Sequence, residues 1–180
     1  MSGFLKAVAV CLGLGLSPAA ASAQTPVQFG LGGGASIPTG TTSNGLKTGW
    51  HGLALVQFKP AASPVGFQID GSYSQLGFDG GGGKDQIIAG TANVVYEFAT
   101  SAESQFHPYL IGGGGVYNVK AAPDFGASVS DTKFGINVGA GFNFRSSGMG
   151  FFVEGRFHDI MVSGSDFHYI PITAGVRFGG

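Results

Sequence analysis

Apolar and polar residues alternate with a period of two along most of the chain after Gln24. In the segment 65–75, Phe67 and Ile69 fall on one face, and Gln68 and Asp70 fall on the other. Successive side chains of a strand point to opposite sides of a sheet, so this period predicts β-strands. The alternation, clean in four segments and less regular in the others, predicts eight strands, at 27–37, 49–59, 65–75, 85–98, 108–120, 133–145, 151–158 and 169–178.

The two faces of these strands differ in chemistry. One face is apolar, whereas the other carries mostly Gly, Ser, Asn, Gln and Thr, and only 11% of all residues are charged. A soluble sandwich or barrel would turn its polar face to water and carry many charges there. Small neutral polar side chains fit a narrow lumen better. We therefore predict an all-β fold, an eight-stranded antiparallel up-and-down transmembrane β-barrel, with a soluble sandwich or barrel as the alternative.

Aromatic residues and connections add detail to this prediction. The connections 60–64 and 145–149 are short, whereas 38–49 and 120–131 are longer and polar, which predicts turns at one end and loops at the other. Aromatic side chains at strand ends predict two girdles at the membrane interfaces, formed by Phe58, Tyr73, Tyr96, Phe98, Tyr109, Tyr117, Phe144, Tyr169 and Phe178.

The first residues have the features of a cleaved secretory signal peptide, predicted at 1–23. Lys6 precedes an apolar run at 7–16, and Ala21 and Ala23 give the small-x-small form of a cleavage site. The barrel domain is predicted at 24–180, in the outer membrane. Cys11 is the only cysteine and lies in the apolar run, so no disulfide is expected. A net charge of −1 lacks the basic excess of nucleic-acid binders, so we expect no nucleic-acid partner.

The predicted lumen contains charged residues. The interior of an eight-stranded barrel is just wide enough for side chains, and buried charges must pair. If the last hairpin turns within 163–167, Glu154 lies opposite Gly175 and diagonal to Arg177. We predict a structural network that plugs the lumen, with a proton or ion path as the alternative. Its members by strand parity are Asp70, Glu97, Lys133, Glu154, Arg156, His158 and Arg177.

The run 108–119, with four consecutive glycines, continues the alternation. Its parity is expected to place Tyr109 and Tyr117 on the apolar face and Gly112 and Gly114 in the lumen. Glycine is poor in an ordinary strand, but sharp curvature in a small barrel requires it. The run is therefore interpreted as regular strand rather than as a linker or a phosphate-binding loop.

Few motifs suggest other chemistry. His158, Asp159, Asp166 and His168 could together bind a divalent metal, but we interpret them as solvated residues near a loop. The segment 30–35 fits the dinucleotide pattern GxGxxG/A, but no helix is predicted after it. We predict no catalytic residue, no metal site and no cofactor.

The chain resembles the small outer-membrane β-barrel proteins of Gram-negative bacteria, of the opacity-protein and adhesion/invasion type. The resemblance spans 27–178 and depends mainly on the segments 107–119, 134–144, 151–160 and 169–178. It implies outer-membrane lipid and the barrel-assembly machinery as partners. The machinery would read a final strand of alternating apolar residues with a terminal aromatic, although Gly179 and Gly180 follow that aromatic here. This assembly-signal strand consists of Ile170, Ile172, Ala174, Val176 and Phe178.

The expected function is that of a non-enzymatic outer-membrane barrel with a plugged polar lumen and a structural or surface-exposed role. One alternative is adhesion or recognition of an unknown surface ligand through the extracellular loops. Another is a lipid-directed enzyme or small-ligand carrier at the barrel mouth. Some small outer-membrane barrels are lipid A hydrolases with a His-x-Ser pair, but Asp159 and Ile160 follow His158, so the serine is missing.

Overall fold

A computed structural model describes residues 27–60, 63–101, 104–146, 149–162 and 165–179; the predicted signal peptide lies outside this part of the chain. Its strands form one closed barrel in sequence order, and all neighbours are antiparallel. The predicted eight-stranded fold is confirmed. The elements are β1 Val27–Thr39, a 3-10 turn η1 Gly40–Asn44, β2 Leu46–Phe58, β3 Val65–Phe78, β4 Gly83–Glu97, β5 Phe106–Pro123, β6 Val129–Ser146, β7 Met149–Val162 and β8 Ser165–Phe178.

Closure of the barrel joins β1 to β8, from the pair Phe29 and Phe178 to the pair Thr39 and His168. Each strand therefore has a hydrogen-bonded neighbour on both sides, which satisfies the backbone polar groups that a bilayer cannot. Among the described residues, no helix is long and apolar enough to cross a membrane.

The exterior of the barrel is apolar and the interior is polar. On β3, Phe67 and Ile69 are 60% and 58% exposed, whereas Gln68 and Asp70 between them are buried. This reverses the arrangement of a soluble protein, in which buried charged residues are rare. The outer surface therefore matches hydrocarbon rather than water.

Strand β5 has the opposite parity to the one predicted. Tyr109, Ile111 and Tyr117 are buried in the lumen, and Gly112 and Gly114 lie on the outer face. The expected inward position of Gly112 and Gly114 is wrong because each tyrosine hydroxyl has a polar partner inside the barrel. The alternation counts tyrosine as apolar, but both tyrosines of β5 lie on its polar inner face.

The predicted aromatic girdles are accordingly smaller than expected. Tyr109, Tyr117 and Tyr169 are fully buried and cannot face lipid. Exposed aromatic residues remain toward the strand ends on the outer surface, where they suit a membrane interface. The predicted girdle residues that are exposed are Phe58, Tyr96, Phe98, Phe144 and Phe178.

We call the end where β2 joins β3, β4 joins β5 and β6 joins β7 the turn end, and the opposite end the loop end. About half of the residues in the predicted loops at 38–49 and 120–131 are strand: β1 runs to Thr39, β2 begins at Leu46, β5 runs to Pro123 and β6 begins at Val129. At the loop end the strands continue beyond the predicted boundaries because inter-strand pairing extends as far as Ala121 and Val129.

The register of the last hairpin also differs from the prediction. Val162 pairs with Ser165, so β8 begins within the segment 163–167 that is predicted as the turn. Glu154 consequently lies opposite Thr173, and Gly175 lies opposite Phe152. A shift of two residues keeps every side chain on its predicted face but changes its cross-strand partner.

Candidate functional site: the barrel lumen

A buried ion triplet lies in the middle of the lumen. Asp70 on β3 and Glu154 and Arg156 on β7 are each at most 4% exposed. Arg156 donates from Nε to Glu154 Oε1 and from Nη1 to Asp70 Oδ2. One guanidinium therefore joins two carboxylates on strands on different sides of the barrel, as its planar fork of donors allows.

Asp70 receives further hydrogen bonds from neutral side chains. Gln68 Nε2 donates to Oδ1 at 2.7 Å, and Asn93 Nδ2 and Thr91 Oγ1 donate to Oδ2 at 2.7 and 3.1 Å. Hydrogen bonds to an ionised oxygen are stronger than neutral ones. They help to offset the cost of removing this carboxylate from water.

Tyr109 and Arg177 connect the triplet to the turn-end half of the lumen. The Tyr109 hydroxyl donates to Glu154 Oε2 at 2.8 Å, and the Arg177 guanidinium lies 5.5 Å from the centre of the Tyr109 ring. Arg177 also lies 4.9 Å from the centre of the Phe152 ring. These distances are those of cation–π contacts.

Gln68 closes a circuit of contacts that we call the lumen ring. Its Oε1 accepts from Arg177 Nη2 at 3.3 Å, while its Nε2 donates to Asp70. The lumen ring holds two carboxylates and two guanidinium groups, so its formal charges cancel. Its members, in order of contact, are Asp70, Gln68, Arg177, Tyr109, Glu154 and Arg156.

Glycines provide the space that these large side chains occupy. Tyr109 lies directly across from Gly141, and Arg156 lies directly across from Gly139. A Cβ atom at Gly141 would lie 2.6 Å from the Tyr109 hydroxyl oxygen, and one at Gly139 would lie 2.7 Å from Arg156 Cγ. Both distances are too short for real atoms, so each bulky residue requires the glycine on the neighbouring strand.

A histidine layer lies on the loop-end side of the lumen ring. His51 Nε2 and Thr173 Oγ1 are 2.8 Å apart, and His158 Nδ1 and the Tyr117 hydroxyl are 2.9 Å apart. The His158 ring also stacks on Tyr169, with ring centres 4.8 Å apart. Beyond this layer, an apolar cluster fills the loop end with Leu76, Ile87, Ala89, Tyr117, Ile160 and Tyr169.

Glu97 forms a separate cluster at the turn end. It is paired with Lys59 Nζ, and Arg145 Nη2 donates to its two oxygens at 2.9 and 3.0 Å. Asn143 Nδ2 donates to Oε2 at 3.3 Å, and His107 Nδ1 lies 4.0 Å from Oε1. This turn-end cluster brings two basic side chains, Lys59 and Arg145, to one carboxylate.

The structure thus divides the predicted network among several places. Asp70, Glu154, Arg156 and Arg177 belong to the lumen ring, and His158 belongs to the histidine layer. Glu97 lies at the turn end, and Lys133 lies at the loop end. Lys133 Nζ pairs at 2.7 Å with Asp131, which is 63% exposed. The prediction that Lys133 belongs to one buried network is wrong, because β6 extends past the part of the lumen that side chains fill.

The sequence does not identify the neutral members of the lumen ring. It also does not identify the neutral side chains that donate hydrogen bonds to Asp70. Gln68 and Asn93 carry no charge, and the alternation predicts Tyr109 on the apolar face. The available signal was parity, since Gln68 and Asp70 occupy successive inward positions of the same strand. The buried neutral polar residues bonded to these charges are Gln57, Gln68, Thr91 and Asn93.

The predicted assembly-signal strand is β8, and its alternate residues lie on the outer face. Ile172 and Phe178 are 43% and 39% exposed. The inward residues between them include Thr173 and Arg177. The structure therefore shows the alternation, while its reading by the assembly machinery stays a prediction.

The histidines and carboxylates near the last loop do not gather in one place. His158 points into the lumen, whereas Asp159 follows it on the outer face and lies 3.2 Å from His168 Nε2. Within the described ranges, no three His, Cys, Asp or Glu side chains form a group able to hold a metal ion.

Comparisons with known proteins agree with this architecture. Residues 7–178 match the family model described as "Outer membrane protein beta-barrel domain". No curated protein matches the chain in sequence.

Several solved structures resemble the chain at low sequence identity. The neisserial surface protein A is 17% identical with a TM-score of 0.68, over 87% of this chain and 98% of that one. Ail, the attachment invasion locus protein of Yersinia pestis, is 18% identical with a TM-score of 0.52, over 86% and 99%. The outer membrane enzyme PagL is 17% identical with a TM-score of 0.50, over 85% and 98%. At these identities the similarity shows the fold alone.

Proposed function

Since the chain belongs to the outer-membrane β-barrel family and lies in the outer membrane, we propose that it is a non-enzymatic barrel with a plugged lumen and a structural, surface-exposed role. The observation that carries this proposal is the lumen ring, in which Arg156 and Gln68 link side chains of several strands across the interior. Such a ring replaces the water column that a pore requires.

A conductance measurement tests the plug. Purified protein is refolded into planar lipid bilayers, with a large porin as positive control. We expect no discrete conductance steps at neutral pH. Stable steps above the leak of a protein-free bilayer would show an open path and refute the plug.

The non-enzymatic part of the proposal is supported by the position of the histidines. His158 is buried in the lumen, and the outward His168 pairs with Asp159. Lipid A from cells that express the protein is compared by mass spectrometry with lipid A from cells carrying an empty vector. We expect identical spectra, and a loss of acyl chains in the expressing cells would refute this part.

Recognition through the loop end is a second candidate, and one observation favours it. At the tip of the β5–β6 hairpin, Phe125 is 93% exposed and Val129 is 68% exposed. Apolar side chains held in water often mark contact surfaces. Adherence of expressing cells to cultured epithelial cells would fall on Phe125→Ser. Phe98→Ser at the turn end is the matched control, and equal adherence of all three strains would exclude this candidate.

Outer-membrane lipid and the barrel-assembly machinery are the partners that we propose for this chain. The lipid proposal is supported by the apolar outer face, and the machinery proposal is supported by the alternating β8. Phe178→Ser is expected to lower the amount of folded protein in the outer membrane, measured by heat-modifiable gel mobility. Phe29→Ser, on the paired strand, controls for loss of an aromatic residue at the same height.

A further inference from the structure

A small cavity lies between the lumen ring and the histidine layer. Its volume is about 20 Å³, and its wall includes Asp70, Glu154 and Arg156 on one side and His51 and His158 on the other. A cavity needs about 10–15 Å³ on this measure to hold one water molecule. The cavity is therefore large enough for one water molecule and too small for an organic ligand.

One buried polar atom of its lining residues lacks a partner among the described residues. Arg156 is 4% exposed, and its Nη2 is a buried donor without an acceptor. Nε and Nη1 of the same guanidinium are already used by Glu154 and Asp70. The second lining residue in question is His158, whose ring uses Nδ1 with Tyr117, so Nε2 is the ring nitrogen that this contact leaves for another partner.

The charges around the cavity select a neutral occupant. Two carboxylates face Arg156 there, so an added anion would meet two negative charges and an added cation would meet a guanidinium. An uncharged molecule that both accepts and donates hydrogen bonds avoids both penalties. Water has this chemistry and the required size.

We propose that the cavity binds one structural water molecule, which accepts a hydrogen bond from Arg156 Nη2 and donates one to His158 Nε2. The water links the lumen ring to the histidine layer and fixes His158 with its proton on Nδ1. That proton is then donated to the Tyr117 oxygen across the observed 2.9 Å. This inference rests on the proposed plug, because an open lumen would hold exchanging bulk water instead.

Nitrogen-15 NMR of the whole protein in lipid nanodiscs tests the site. The sample carries labelled histidine, and His158 is assigned by its loss in His158→Gln. We expect a through-space cross-peak between the His158 ring and a long-lived water molecule. We also expect the ring nitrogen chemical shifts that are typical of a neutral imidazole with its proton on Nδ1. Absence of the cross-peak, or a proton on Nε2, would overturn the proposal.

Ser72 provides a pair of matched variants. It lines the cavity and makes no side-chain hydrogen bond with the described residues. Ser72→Val fills the space and should abolish the water cross-peak, whereas Ser72→Ala should retain it. Should Ser72→Val fail to fold, the wild-type tautomer and cross-peak still decide the proposal.

The conductance measurement separates this inference from the plug. A silent bilayer without the water cross-peak would refute the water site and leave the plug standing. Conductance steps would refute the plug, and the water site with it.

Discussion

Removing the charge of Arg156 is expected to be the most damaging change to the interior. Arg156→Met retains most of the side-chain length but leaves Asp70 and Glu154 buried at 4% and 2% exposure without their shared cation. Breaking a buried pair by removing one partner costs about 3–5 kcal/mol. With a denaturant slope of about 2 kcal/mol/M in urea, the unfolding midpoint should fall by about 1.5–2.5 M.

The assay is equilibrium urea unfolding in detergent micelles, followed by heat-modifiable gel mobility and by the fluorescence of Trp50. Trp50 is the only tryptophan in the sequence and lies on the outer face, away from the substitution. Its signal therefore reports the whole barrel rather than the local change.

A neutral quadruple variant is the control. Asp70→Asn, Glu154→Gln, Arg156→Met and Arg177→Met together remove all four charges of the lumen ring, so no unpaired charge stays buried. Buried charges replaced as a unit are often close to neutral in stability, so the quadruple variant should regain most of the loss. A single variant within 1 kcal/mol of the wild type, or a quadruple variant no better than the single one, would refute the reasoning.

Three smaller perturbations test other contacts by the same unfolding assay. Gly141→Ala should cost about 1–3 kcal/mol because its Cβ overlaps both Tyr109 and the backbone oxygen of Val153. Gly71→Ala, which meets open space, should change stability by less than 0.5 kcal/mol, and equal effects of the two substitutions would contradict the overlap. Tyr109→Phe leaves a Glu154 oxygen without its donor and should cost about 1–3 kcal/mol, and an unchanged midpoint would exclude this contact. Arg145→Ala should cost at most about 1 kcal/mol because Arg145 is 47% exposed in its ion pair, and a larger loss would show that water does not screen the pair.

The sequence predicted the fold well because the outer face demands apolar side chains at every second position. On β3 and β7, the outward residues are mostly apolar and the inward residues are mostly polar. The alternation therefore predicts the strand, the face of each residue and the positions of the charges. No comparable demand acts on the inner face, which accepts Tyr109, Ile111 and Leu55 beside charged residues. The parity that the alternation predicts for β5 is therefore wrong.

Cross-strand partners were harder to predict than faces. A two-residue error in the last hairpin leaves the pattern of β8 intact, yet it moves Glu154 from Thr173 to Gly175. The contact between Arg156 and Asp70 spans the lumen between β7 and β3, which are not neighbours in the sheet. Such contacts depend on barrel closure, which local periodicity does not encode.

The lumen ring also has a consequence for the order of folding. Arg156 and Asp70 are separated by 86 positions in sequence, and Arg177 and Gln68 by 109. These bonds form only when distant segments meet, after most of the loop-closure entropy has been lost. Until β8 reaches β1, the ring's charges require water in the unfinished lumen. Insertion should therefore proceed through a hydrated intermediate, and drying of the interior should be its last step.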